Sequence, residues 1–246
     1  MVNVLLMLGG LFLLTAPEDV PLDLIRQVQG DSWYGVYMNG GKVGYSVNRV
    51  QVRDDQQAIV LTEDALFLVT MSGVKQNMRL FTERTYDMST GRLSRIQASI
   101  TDPSQKSEFT AEAAGDVLRV VSVIGNNRRE KEFPLPAETV WDGLRQSLWV
   151  LSAPDIGSVR AFRVFEPLYE RELSGQAQVT AIEERLMDGV PTRVYTIRNR
   201  IDVMEMDSTA RVSASGLILE ETLSGNMTLR LEPEAMAKDV SYQHDV

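Results

Sequence analysis

The sequence predicts a mainly β protein: a curved antiparallel sheet, half-barrel or barrel-like in form, with one main helix against it. Apolar and polar residues alternate along most of the chain from Ser32 onward, and this period of two is typical of half-buried strands. Turn sequences such as Asn39-Gly40-Gly41 and Asp188-Gly189 separate the alternating segments and favour tight hairpins. Roughly ten or more strands at this spacing indicate a meander or a barrel-like sheet.

The N-terminus has the pattern of an export signal. Val4–Leu14 is almost wholly apolar, which suits the core of a signal peptide and is too short to span a bilayer. Ala16 is a small residue before a possible cleavage site, and no Lys or Arg precedes the apolar run. We expect a signal peptide at 1–16 and an exported, periplasmic or cell-envelope protein with no transmembrane span in the mature chain. The alternative is a cytoplasmic protein with a buried N-terminal segment.

The first half of the chain predicts a series of strands joined by short turns. Aromatic, alternating segments flank Asn39-Gly40-Gly41 and predict a hairpin. One long strand places five apolar residues on one side: Ile59, Leu61, Ala65, Phe67 and Val69. Further strands are predicted over 81–88, 93–100 and 117–124.

Residues 137–152 predict the main helix. Apolar residues recur there at helical spacing: Val140, Trp141, Leu144, Leu148 and Leu151. Trp149 falls outside this stripe and is expected to contact a second surface. We interpret the segment as a helical insertion that covers one face of the sheet, between two halves of a single β-rich domain at 17–237.

Strands resume after the helix. They are predicted over 159–165, 177–186 and 190–197, with a hairpin turn at Asp188-Gly189. Shorter strands follow the turns at Ser215-Gly216 and Ser224-Gly225-Asn226. A polar tail is expected at 238–246.

Two segments carry a family resemblance. The first is Trp33–Tyr45, which opens with aromatic-Gly-Val-Tyr and returns with Lys-Val-Gly-Tyr, and the second is Ser215–Ala235. They resemble the first and last hairpins of a β-rich domain of unknown function in bacterial envelope proteins. That domain often precedes a transglutaminase-like core and is similar to half-barrel lipoprotein carriers. The resemblance implies a curved antiparallel sheet. It supplies no catalytic residue, because the core's nucleophile is a cysteine and this chain has none.

Composition excludes several kinds of function. The net charge of −9 disfavours nucleic acid and anionic bilayer surfaces as partners. Without cysteine and with His244 as the single histidine, sites built on thiolates or several imidazoles are excluded. We therefore predict no catalytic residue, no metal site and no cofactor.

Paired acids occur at Glu63-Asp64, Glu183-Glu184 and Glu220-Glu221. Neighbouring strand residues point to opposite faces, so no such pair can act as an acid/base couple by itself. Acids from different strands could still meet in the fold, as glycoside hydrolases require. A hydrolase that uses carboxylates is therefore the alternative function.

The predicted function is a non-catalytic envelope or periplasmic module that binds an apolar ligand or a protein partner. The chain has eleven methionines, and Met side chains suit adaptable binding surfaces. An apolar cavity between the sheet and the helix could hold a ligand, but an ordinary Met-rich core is the favoured interpretation of these residues. The candidate ligand-binding residues are Trp141, Met204, Met206, Met227, Tyr37 and Tyr45.

Overall fold

The computed structural model describes residues 20–71, 74–202, 206–223 and 226–240, without the side chains at 69, 71, 74, 75 and 206. The helices in these residues are α1 (Leu22–Gln27), α2 (Val140–Gly143), α3 (Arg145–Leu151) and α4 (Glu234–Ala237). The strands of the first half are β1 (Gly30–Met38), β2 (Gly41–Arg53), β3 (Ala58–Met71), β4 (Val74–Asp87), β5 (Leu93–Thr101), β6 (Lys106–Ala114), β7 (Val117–Ile124) and β8 (Asn127–Pro134). Those of the second half are β9 (Val159–Glu166), β10 (Arg171–Met187), β11 (Val190–Ile201), β12 (Met206–Ser213), β13 (Ile218–Leu223) and β14 (Met227–Leu231).

All 14 strands belong to one antiparallel sheet, in the order β8 to β1 followed by β14 to β9. The two halves of the chain therefore meet at the β1–β14 pair, and β8 and β9 form the edges. The segment 135–158, which carries α2 and α3, runs from one edge to the other. The sheet curls until the edges approach, with the rings of Phe133 and Phe165 5.6 Å apart. The predicted fold class, a curved antiparallel sheet with helix against it, is confirmed.

Both predicted hairpin turns are confirmed. Asn39 and Gly40 have φ angles of 51° and 85°, and Asp188 and Gly189 have 50° and 80°. Two successive positive φ angles define the turn whose twist matches paired strands. The flanking strands pair as β1 with β2 and β10 with β11.

The predicted main helix is divided into α2 and α3 at Leu144. Leu148 packs into a core cluster with residues of β3–β7 and β9. Trp149 packs into a second cluster with residues of β9–β12, so it does contact a second surface as expected. The helical segment therefore lies on the inner face of the sheet and fills the space between its two halves.

Glu138, just before α2, ties β4 to β9 across the interior. Its carboxylate accepts hydrogen bonds from Arg84 Nη1 at 3.0 Å, the Tyr86 hydroxyl at 2.6 Å and the Phe165 backbone N–H at 2.6 Å. Glu138 and Tyr86 are fully buried. Burial and then the charge of Glu138 raise the pKa of Tyr86, so Tyr86 remains a donor. Burial opposes the charged form of Arg84, but Glu138, Tyr86 and Glu166 together outweigh this effect, and the pKa of Arg84 is raised.

The hairpin that carries the family resemblance holds the segment after β14, including α4, on the outer face. The Glu232 carboxylate accepts hydrogen bonds from the Tyr37 hydroxyl at 2.5 Å and Lys42 Nζ at 2.8 Å. It lies over Gly35, where a β-carbon would come within 2.6 Å of its oxygens. Lys42 also donates to the carbonyl oxygen of Met236 in α4. The Gly, Tyr and Lys of this motif therefore serve a structural contact.

Gly44→Ala in β2 is expected to lower the free energy of unfolding by about 1–3 kcal/mol, the usual cost of overpacking. A β-carbon at Gly44 would lie 2.0 Å from the carbonyl oxygen of Leu66. Because this oxygen belongs to the backbone of β3, it could move away only if β2 and β3 separated. Urea denaturation measures the change. Gly41→Ala in the same strand is the control, because its nearest contact would be an ordinary 3.7 Å. Equal effects of the two substitutions would contradict the prediction.

Candidate functional site

The inner face of the sheet leaves two cavities that share Glu63 as a lining residue. The first, of about 450 Å³, lies among β1–β4, β13 and β14 and is called here the apolar cavity. Besides Glu63, its lining residues are Val36, Met38, Ser46, Ala65, Phe67, Met78, Leu80, Leu223, Met227 and Leu229. They share one face of the sheet because alternate residues of each strand point the same way.

The second, of about 650 Å³, is the polar cavity. It is bounded by inner residues of β1–β4, by the end of α1, by the beginning of α3 and by the turn at 215–217. Its polar and charged lining includes Ser32, Tyr34, Asn48, Glu63, Thr82, Arg84, Arg145, Gln146, Glu166 and Glu221. Burial raises the pKa of Tyr34 to about 12, so its hydroxyl stays protonated.

Glu63 is the carboxylate at the border of the two cavities. Its neighbour Asp64 faces outward and binds Arg79 through two hydrogen bonds, of 2.7 and 2.8 Å. Glu63 faces the inside of the curved sheet, where its side chain is exposed to the two cavities. It has no hydrogen bond or ion pair among the described residues. Burial raises its pKa, the nearby charge of Glu221 raises it further, and Arg84 opposes the shift only in part.

Glu221 brings a second inner carboxylate to the polar cavity. It accepts hydrogen bonds from Ser208 Oγ at 2.9 Å and Gln146 Nε2 at 3.3 Å. Its neighbour Glu220 faces outward and binds Arg230 at 3.1 Å. The acid pairs at 63–64 and 220–221 are thus divided across the sheet as predicted, and one acid from each reaches the same interior space.

Arg145, the first residue of α3, is a guanidinium in the same cavity. It lies 4.3 Å from the ring centroid of Phe162 and donates a hydrogen bond to the carbonyl oxygen of Asp142 at 3.3 Å. Its Nε is buried and has no partner in the described structure. Burial lowers the pKa of Arg145, against the charges of Glu221 and Asp142.

The residues predicted from sequence lie in different places. Met227 lines the apolar cavity. Tyr37 is on the outer face with Glu232, and Tyr45 is there beside Trp33, with the rings 6.1 Å apart. Trp141 packs against the first core cluster, and Arg160 lies 4.5 Å from its ring. Met204 and the side chain of Met206 fall outside the described residues.

The apolar cavity is not located where the sequence suggested. The space next to α3 is the polar cavity, and the apolar cavity lies farther along the strands. Sequence reasoning also missed Glu63 and Met38 as lining residues. The signal for Glu63 was present, since it interrupts the apolar row that runs from Ile59 to Phe67 along β3.

Glu63→Gln is expected to change how stability depends on pH. A carboxyl whose pKa is raised by folding binds more protons in the folded than in the unfolded chain, so stability falls as pH rises from the ordinary value of 4.5 through the raised pKa. The variant loses this contribution, and we expect it to be the more stable protein at pH 7. Urea denaturation between pH 4.5 and 8 measures the slope. Asp64→Asn should retain the wild-type slope for this interval, and an unchanged slope in Glu63→Gln would contradict the assignment.

Metal-binding clusters and membrane-spanning helices are absent from the described residues. No group of three or more His, Asp or Glu side chains there is arranged to hold a metal ion. Nor does any helix in that part of the chain have the length and apolar character needed to cross a membrane.

Comparison with known proteins shows the fold. No protein-family model and no curated protein matches the sequence. The chain is similar to the crystal structure of a β-barrel-like protein of the domain of unknown function DUF1849 from Brucella abortus, with a TM-score of 0.59, 10% identity, and coverage of 81% of this chain and 93% of that one. A DUF1089 family protein from Pseudomonas aeruginosa gives a TM-score of 0.40 and 11% identity over 71% of this chain and 87% of that one. The first similarity shows that this β-rich chain has a β-barrel-like fold.

Proposed function

We propose that this protein is a non-catalytic binding module of the cell envelope that holds an amphiphilic molecule inside its curved sheet. The observation that carries the proposal is the apolar cavity of about 450 Å³, which shares Glu63 with a polar cavity of about 650 Å³. An acyl or alkyl chain would occupy the apolar cavity, and its head group would lie beyond Glu63.

The size and lining of the apolar cavity support a ligand. Small-molecule sites usually measure about 300–1,000 Å³ and combine apolar walls with a few placed polar groups. Met38, Met78 and Met227 contribute flexible, polarizable side chains that adapt to a chain of carbon atoms.

Binding accounts for the site better than hydrolysis does. A carboxylate hydrolase would use Glu63 and Glu221 but would leave the adjoining apolar cavity without a role. A bound amphiphile uses both cavities. A docked protein would instead meet the edge strands β8 and β9, which offer unpaired backbone groups.

The predicted signal peptide at 1–16 supports an envelope location. These residues lie outside the described part of the chain, and the proposal depends on the apolar run at Val4–Leu14. Amphiphiles with alkyl chains are abundant at membranes, so a carrier or sensor of such molecules suits that compartment.

A series of straight-chain primary alcohols tests the proposal. Burial of each methylene contributes about 0.8 kcal/mol, so two added carbons should tighten binding about tenfold until the cavity is full. Isothermal titration calorimetry with hexanol, octanol and decanol measures this dependence. Octane-1,8-diol is the control, because its second hydroxyl would be buried without a partner. Absence of binding, or affinities that do not depend on chain length, would contradict the proposal.

A further inference from the structure

The geometry points to an aliphatic amine, bound as its ammonium ion between Glu63 and Glu221, as the head group of the ligand. This inference rests on the proposed function and specifies the substance that the site selects. It follows from the hydrogen-bonding state of the two inner carboxylates and from the distribution of charge around them.

Glu63 stands where the polar end of a chain bound in the apolar cavity must emerge. It lines both cavities, and no donor among the described residues satisfies its oxygens. The charge of Glu63 is not compensated by an ion pair in the described structure. A cationic donor that emerges from the apolar cavity would therefore gain a charge-assisted hydrogen bond there.

The surroundings of Glu221 are also short of donors. Asn199 donates through Nδ2 to Ser208 Oγ at 3.0 Å, and Ser208 in turn donates to Glu221. Only neutral groups, Ser208 and Gln146, donate hydrogen bonds to Glu221 in the described structure. An alkylammonium group has three N–H donors and no acceptor, so it suits the carboxylates of Glu63 and Glu221.

The charge balance favours a cation over an anion. Among the guanidinium groups of the polar cavity, Arg84 is engaged by Glu138 and Arg49 by Asp31 at 3.0 Å. Glu63 has no cationic partner within hydrogen-bonding distance, and the donors to Glu221 are neutral Ser208 and Gln146.

Arg145 is the group that could instead attract a carboxylate ligand. Its guanidinium is stacked on Phe162, its hydrogen bond goes to a backbone carbonyl, and it forms no ion pair in the described structure. A carboxylate head group at the border would, however, lie beside Glu63 and Glu221. Like charges close to one another repel, so the anion should be rejected.

The test compares three probes with the same chain: 1-aminodecane, 1-decanol and decanoate, each below its aggregation concentration at pH 7. Calorimetry should give the amine an affinity at least about tenfold above that of the alcohol, with decanoate the weakest; tenfold corresponds to about 1.4 kcal/mol. Glu63→Gln should reduce the ratio of amine to alcohol affinity by about tenfold. Glu221→Gln is a second variant and should reduce the same ratio. Asp64→Asn, on the outer face, is the matched control and should keep it.

The outcomes separate this inference from the proposed function. If decanol binds but the amine gains nothing, or if Glu63→Gln leaves the ratio unchanged, the amine assignment is wrong and the apolar site stands. Preferred binding of decanoate would assign the head group to Arg145 instead. If none of the three probes binds, the proposed function fails and the inference fails with it.

Discussion

Replacing Glu138 with glutamine is expected to lower the free energy of unfolding by about 3–5 kcal/mol, the usual cost of breaking a buried ion pair from one side. The substitution leaves Arg84, which is largely enclosed, without its counter-charge, and it weakens the bonds from Tyr86 and Phe165. Because these bonds join β4 to β9, the loss should also loosen the closure of the sheet. Urea denaturation at pH 7 measures the loss, and hydrogen exchange at the Phe165 amide reports the local opening.

Glu132→Gln is the matched control for this prediction. Glu132 is paired with Arg119 at 2.9 Å on strands β8 and β7, and both side chains are more than half exposed. Exposed pairs contribute little, because water and salt screen them. If the two substitutions cost the same, Glu138 does not hold the sheet closed.

Ala65→Trp is expected to weaken the binding of decanol about a hundredfold. Ala65 lines the apolar cavity from β3, so an indole at this position would occupy the space of the bound chain. Excluding about four methylenes, at about 0.8 kcal/mol each, removes about 3 kcal/mol of binding free energy. Calorimetry with decanol measures the change, and circular dichroism establishes that the variant is folded.

Leu66→Trp is the control for the cavity variant. Leu66 follows Ala65 in the same strand, and its side chain therefore points to the opposite face of the sheet. The Leu66→Trp variant introduces the same indole outside the cavity, so its affinity for decanol should stay within about twofold of the wild-type affinity. Loss of binding in both variants, or in neither, would show that the chain does not enter the apolar cavity.

Local sequence signals predicted the elements of the fold well. The turns at Asn39-Gly40 and Asp188-Gly189 require positive φ angles, and Asn, Asp and Gly tolerate them. The off-stripe position of Trp149 likewise indicated that the helical segment contacts two surfaces. These features depend on neighbours close in sequence, so they can be inferred from it.

The candidate site depends on contacts between distant parts of the chain. Alternation places Glu63 on the apolar side of β3, with Ile59 and Phe67, but it does not show which other acid comes near it. Glu63 and Glu221 meet only because β1 pairs with β14 and closes the two halves into one sheet. The same closure places Tyr37 against Glu232, which gives it a structural contact on the outer face. For this reason the sequence offered no means of separating Met227, which lines the apolar cavity, from Tyr37.

The most direct test of the central claim is methyl NMR of the protein labelled at its methionines, titrated with decanol. Met38, Met78 and Met227 line the apolar cavity, whereas Met236 is 58% exposed in α4 on the outer face. The proposal predicts that the three cavity methyl signals shift together with one dissociation constant while the Met236 signal stays in place. Shifts confined to Met236, or no shift of the three cavity signals at saturating decanol, would contradict a ligand-binding interior.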